Sequence, residues 1–111
     1  MRYVIDGFLQ IKLIEFKINE RERKLLEFMG FISGRSKAIN KLINGKNFFW
    51  FNSQAFIYEF PYLGLSNIKQ IGEYMRKLRS KGIIEIYTDR TPRATYTYIA
   101  FCPKYHELFK V

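Results

Sequence analysis

The stretch from Leu65 to Phe101 constrains the fold of this chain more than any other, because it sets a capped basic helix before two β-rich segments and a charged tip. The helix is predicted to begin at Ser66, an N-cap residue placed after the turn-forming Gly64, and to stop at Gly82 with Lys81 in its last turn. Between these signals Ile68, Ile71, Met75 and Leu78 recur at helical spacing and form an inward stripe. The opposite side carries Lys69, Glu73, Arg76 and Lys77, with Gln70 on its flank. Such a helix can rest on a small core while offering cationic and amide side chains to a groove. Residues 83–88 then read as a strand, 89–93 as a tip and 94–101 as a returning strand, in which Tyr96 and Tyr98 alternate with Thr95, Thr97 and Ile99.

The chain has 111 residues, of which 48% are hydrophobic and 18% aromatic, enough to bury the core of one domain spanning residues 1–111. Nineteen Lys and Arg against 10 Asp and Glu give a formal charge of +9, which favours polyanionic partners. Nucleic acid is the first such partner and an anionic membrane surface the second. No apolar run approaches the roughly 20 residues that span a bilayer. Asp6, Gln10 and Lys12 interrupt the apolar core that a signal peptide needs, so cytoplasmic residence is expected. A single cysteine, Cys102, can form no internal disulfide and, with only His106 near it, no zinc site. Its expected role is a small apolar residue at a strand end. Residues 17–47 carry eight basic and three acidic side chains and residues 66–95 seven and three, whereas residues 48–65 hold only Glu59 as a charged group. Two basic blocks are therefore expected to fold around an aromatic middle.

From Gly7 the run FLQIKLIEFKI alternates imperfectly and reads as a strand buried on both faces. Asn19 followed by Glu22 resembles a capping box, opening a helix whose inward stripe is Leu25, Phe28, Met29 and Ile32 and which ends at Ser33 and Gly34. A second helix is predicted over residues 35–43, with Asn44 and Gly45 ending it. NFFWF follows as a short strand, and Asn52 or Ser53 caps a short helix that stops near Pro61. The tail from Pro103 is expected to form a helical turn in which Tyr105, Leu108 and Phe109 close the core. Strand, helix, helix, strand, strand is the order of a winged helix. The expected class is thus α+β: a winged helix-turn-helix over residues 35–102, with an extra strand and helix in residues 1–34 and a tail in residues 103–111.

Four segments, NGKNFFWFN from Asn44, FPYLGLS from Phe60, MRKLRSKGIIE from Met75 and TYTYIAFCPKYHELF from Thr95, resemble the winged-helix domains at the N-termini of phage and plasmid replication proteins of the replisome-organiser and initiator type. The resemblance covers residues 40–110. It implies double-stranded DNA binding at an origin, replication proteins as further partners, and the cytoplasm of a bacterial cell or phage-infected host. Family members usually add domains for self-assembly or helicase loading, and no such domain is expected within these 111 residues. The chain is therefore expected to be an isolated module or a small protein with only the DNA-contacting part.

The first expected contact surface is the N-terminal half of the basic helix, with Ser66, Asn67, Lys69, Gln70 and Glu73 toward base edges and Arg76 and Lys77 on phosphates. Glu73 repels phosphate unless it accepts from a cytosine amine. Arg79, nearer the core boundary, reads as a snorkelling residue or as the partner of a neighbouring carboxylate. Arg90 and Arg93 flank Thr91 and Pro92 in a stiffened tip suited to a minor groove or backbone. Arg35, Ser36, Lys37, Lys41 and Lys46 form a second basic surface, for DNA or a partner protein. Phe48, Phe49, Trp50, Phe51, Phe56 and Tyr58 are expected in the core rather than stacked on bases, with Tyr96 and Tyr98 left open between the two.

One histidine, no clustered carboxylates, no Gly-rich phosphate loop and no nucleophile beside a base argue against catalysis, a metal or a cofactor. A transcriptional repressor of the same fold needs the same docking geometry as an initiator, so the two stay open. A protein-interaction module with an exposed apolar patch on residues 8–16 is the competing class. If that run is an edge strand, a homodimer pairing through it is a further expectation.

Overall fold

Asn19 and Glu22 form the capping box that their spacing predicts. The Asn19 side chain accepts from the Glu22 N–H at 2.8 Å, and the Glu22 carboxylate accepts from the Asn19 N–H at 3.1 Å. The structure, a computed structural model, describes residues 4–5, 7–34, 39–65 and 67–109. Its elements in chain order are β1 (Val4–Ile5), β2 (Phe8–Leu9), α1 (Gln10–Glu15), α2 (Glu20–Ser33), β3 (Asn40–Ile43), β4 (Lys46–Phe51), α3 (Ser53–Glu59), a 3-10 turn (Pro61–Leu63), α4 (Ile68–Ser80), β5 (Ile84–Arg90), β6 (Thr95–Phe101) and α5 (Pro103–Glu107). The class is α+β, as expected. Strands β3 to β6 form one antiparallel sheet in the order β3-β4-β6-β5.

One face of that sheet makes the core. Phe49 and Phe51 of β4, Ile99 of β6 and Ile84 of β5 pack with Leu25, Leu26 and Met29 of α2, Phe56 of α3, and Ile71, Met75 and Leu78 of α4. Phe28 stands edge-on to Phe51, Phe56 and Phe60, a geometry that favours aromatic pairs. The C-terminal turn closes the core through Tyr105 and Leu108, whereas Phe109, expected with them, is 43% exposed and packs on the rings of Phe8 and Tyr105. Leu108 is fully buried, and Tyr105 stacks on Phe101 with ring centroids 3.7 Å apart.

Two predicted elements are corrected. Residues 8–18 do not form a strand: β2 is two residues long, and α1 follows at once, with Lys17 in the left-handed region at φ 56° before α2. The run is apolar on both parities, so period alone could not choose. Helical spacing prevails, burying Leu9 and Leu13 while Ile11 and Ile14 face solvent, and Leu108 O accepts from the Leu9 N–H at 2.8 Å. The edge strand expected to pair two copies is therefore not formed there.

The predicted helix over residues 35–43 is also replaced, since β3 occupies 40–43, while residues 35–38 lie outside the described residues. Asn44 and Gly45 are not a helix stop. Both have positive φ, 50° and 77°, and Ile43 pairs with Lys46, so they are the two-residue turn of a tight hairpin.

Half of the aromatic middle leaves the core as well. Phe49, Phe51 and Phe56 are inside; Phe48 is buried outside the core cluster, Trp50 is half-buried and Tyr58 is 85% exposed. Cys102 is free and half-buried just after β6, where it N-caps α5, and burial pushes its thiol above the usual range.

Glu22 is buried because its other carboxylate oxygen accepts from the Lys81 ammonium at 2.7 Å, just past the end of α4. Lys81→Met keeps the apolar stem and strands the carboxylate. We expect a loss of about 2 kcal/mol in urea unfolding, less than the ~3–5 kcal/mol of a fully buried pair because Lys81 stays partly wet. Glu22→Gln in that background should recover part of the loss. Gly30 of α2 is a close-approach position, since a Cβ there would stand 2.8 Å from the Tyr105 hydroxyl oxygen. Gly30→Ala should therefore cost about 1–2 kcal/mol in the same assay, and Tyr105→Phe should relieve most of that cost.

Candidate nucleic-acid interface

Helix α4 begins one residue later than the sequence signal, with Asn67 as its N-cap accepting from the Gln70 N–H at 3.1 Å. Ser66 lies outside the described residues. At the other end Gly82 takes φ 75°, as its residue type predicts, and Leu78 O accepts from the Ile83 N–H at 3.1 Å. The helix buries Ile71, Met75 and Leu78, while Ile68, expected in the same stripe, is 54% exposed. Lys69, Glu73, Arg76 and Lys77 are all exposed and Gln70 is half-buried, matching the predicted outward side.

Arg79 is exposed, and with Arg76 it lines a cleft of about 250 Å3 between α4 and the β5–β6 hairpin. Ile68, Gly72 and Met75 complete the helical wall, Ile86, Thr88 and Thr97 form the strand wall, and Ser53 of α3 joins them. Thr88 and Thr97 are direct cross-strand partners on the face that carries Ile84 and Ile99 deeper in the molecule. The core thus gives way to a polar cleft where isoleucine gives way to threonine. Among the described residues no carboxylate lines it, so the charged groups of its lining are the guanidinium groups of Arg76 and Arg79, which share it with hydroxyl side chains. Arg90 follows Thr88 on the same face of β5 and is exposed.

Strand β5 reaches Arg90, so the tip is shorter than predicted and comprises residues 91–94. Thr91 organises it. Its hydroxyl accepts from the Ala94 N–H at 3.0 Å and donates to Ala94 O at 2.9 Å, while the Thr91 N–H donates to that carbonyl at 2.8 Å. Arg93 is held exposed at the end of this closed turn.

On the other flank of α4, the Lys77 ammonium sits 5.3 Å from the centre of the Tyr74 ring, and the Tyr74 hydroxyl accepts from Arg21 at 2.6 Å. Arg21 also donates to Leu63 O at 3.3 Å, which fixes a second guanidinium beside α4 that the sequence pattern did not single out.

Of the second basic surface only Lys41 and Lys46 are among the described residues. Arg35, Ser36 and Lys37 lie outside the described residues. Lys41, on a strand rather than a helix, donates to Asp89 at 2.9 Å, and that bond holds its ammonium above the usual lysine value. Lys46 pairs with Glu85 at 2.9 Å. Both lysines are thus engaged across the sheet.

Among the described residues no three His, Cys, Asp or Glu side chains are grouped to hold a metal, and no helix is long and apolar enough to cross a membrane. Comparison with family models, with characterised proteins and with solved structures finds no match for this chain.

Gly72 stands at the centre of α4 on the wall of the cleft. An added Cβ would meet only the mobile end of Arg76, at 3.3 Å. Gly72→Ala should therefore stabilise the protein by about 0.5–1 kcal/mol, read as a higher urea midpoint at unchanged slope.

Proposed function

We propose that this protein binds double-stranded DNA as a winged helix, with α4 as the recognition helix and the β5–β6 hairpin as the wing. The observation that carries the reading is the cleft between them, lined by Arg76 and Arg79 together with Thr88 and Thr97 and, among the described residues, by no carboxylate. Lys69 and Lys77 extend the cation on the helix, and Arg90 and Arg93 extend it on the wing. The chain order supports it too, because β4, α3, α4, β5 and β6 follow one another and β4 returns to pair with β6.

In this reading the first turns of α4, with Asn67, Lys69, Gln70 and Glu73, reach base edges in the major groove. Arg76, Lys77 and Arg79 meet phosphates. The wing lays Arg93 along the adjacent backbone or minor groove. Gly72 lets the sugar-phosphate chain come close to the helix backbone, a role for glycine at a position where alanine favours the helix. Initiation of phage or plasmid replication in a bacterial cytoplasm is the biological setting that the sequence resemblance of residues 40–110 supports.

The test is fluorescence anisotropy of a labelled random-sequence duplex across a salt series. Wild-type affinity is expected to fall steeply with salt. The triple variant Lys69→Ala, Arg76→Ala, Arg79→Ala should lower the log-log salt slope by about 2, since it removes the phosphate contacts of Arg76 and Arg79 and each contributes about 0.9. Gly72→Ala should bind more weakly despite its greater stability. No binding at low salt, or a triple variant indistinguishable from wild type, would sink the proposal and direct the search to an acidic protein partner.

A further inference from the structure

The sheet has a second face, whose chemistry the duplex contact leaves unused. Alternation along β4, β5 and β6 puts Phe48, Trp50, Tyr87, Tyr96 and Tyr98 there, with Trp50 opposite Tyr98 and Tyr98 opposite Tyr87 in the ladder. None of the five belongs to the core cluster. Phe48 is buried edge-on to Tyr87, Trp50, Tyr87 and Tyr98 are half-buried, and Tyr96 is 40% exposed.

Trp50, Tyr96 and Tyr98 enclose a cleft of about 230 Å3 with Ile39, and Asp89 and Thr91 supply its polar groups. Aromatic walls with a few polar atoms at the margin suit a flat heteroaromatic ring. The space is of the order that one nucleobase requires. Lys41 lies 5.5 Å from the ring centres of both Tyr87 and Tyr98 and neutralises Asp89, so the carboxylate does not repel a nearby phosphate. Arg93 is exposed in the turn that follows β5, beside Thr91, where the hairpin ends.

We propose that this face binds single-stranded nucleic acid, with one unpaired base stacked among Trp50, Tyr96 and Tyr98 and the adjoining phosphate on Arg93 at the hairpin tip. Charge selects this occupant over a second copy of the chain, since two molecules of +9 repel one another while a polyanion is attracted. Stacking is tolerant of base identity, so binding should be only weakly sequence-dependent. The site is distinct from the α4 cleft and stands whether or not that cleft takes duplex DNA.

Trp50 is the only tryptophan in the chain, so its emission reports on this cleft directly. The experiment titrates the whole protein with a 12-nucleotide oligo-dT of about 4 kDa, followed by Trp50 quenching. Saturable quenching is expected. Tyr96→Ala should weaken it on the order of tenfold, and Tyr96→Phe, which keeps the ring, should retain it. Tyr96 is solvent-exposed, and an unchanged circular dichroism spectrum checks that the variant folds.

The triple variant of Lys69, Arg76 and Arg79 should keep the full quench amplitude while losing duplex anisotropy, and Tyr96→Ala should do the converse. Absence of quenching at low salt would overturn the proposal. So would quenching that survives Tyr96→Ala, or that disappears with the α4 triple variant. Trp50 emission that changes with protein concentration alone, before oligonucleotide is added, would assign the face to self-association and overturn it as well.

Discussion

Glu22 is the one charged side chain that is fully buried among the described residues, and three chain segments are tied to its carboxylate or to the lysine that answers it. One oxygen accepts from the Asn19 backbone and so fixes the start of α2. The other accepts from Lys81, which also donates to Lys17 O at 2.8 Å, the residue whose left-handed backbone turns the chain from α1 into α2. Lys81 O in turn accepts from Lys104 at the base of α5. A buried ion pair of this kind contributes little net stability relative to an apolar substitute, but losing one half is costly, and its geometry admits few alternatives. It pins the end of α4 to the start of α2. The orientation of the basic side of α4, and with it the width of the cleft against β5 and β6, depends on that pin.

Local signals in the sequence were legible wherever a side chain acts on its own backbone. The Asn19 to Glu22 box, the Asn52 cap of α3, the Gly82 stop and the alternation of residues 95–101 all appear in the structure as their residue types dictate. Two signals were ambiguous in kind. Asn-Gly ends a helix and turns a hairpin equally well, because both uses need positive φ, and only the pairing of Ile43 with Lys46 decides between them. The run after Gly7 is apolar on both parities, and its helical outcome is set by contacts with Leu108, about a hundred residues away, that no local window contains.

The outward side of α4 was legible because 3.6-residue periodicity assigns it directly, whereas the opposite wall of the cleft was not. That wall depends on which strands pair, and the sequence separation between Arg76 and Thr97 hides their meeting. The signal was nonetheless present: Thr88 and Thr97 keep the parity of Ile84 and Ile99, so the apolar face of the hairpin was bound to turn polar toward its tip. Lys41 was misassigned for a different reason. Once residues 40–43 are a strand, its side chain belongs to the sheet, and Asp89 on the opposite edge strand neutralises it.

Strand β6 sits between β4 and β5, and its neighbouring residues Thr97 and Tyr98 open onto opposite sides of the sheet. The two surfaces are therefore separated by a single peptide unit. A shift of β6 by one position against its partners would exchange hydroxyls for phenol rings on both sides at once. Neither surface can be retuned by sliding this strand without dismantling the other, so variation that adjusts one of them is confined to side-chain replacement at fixed alignment.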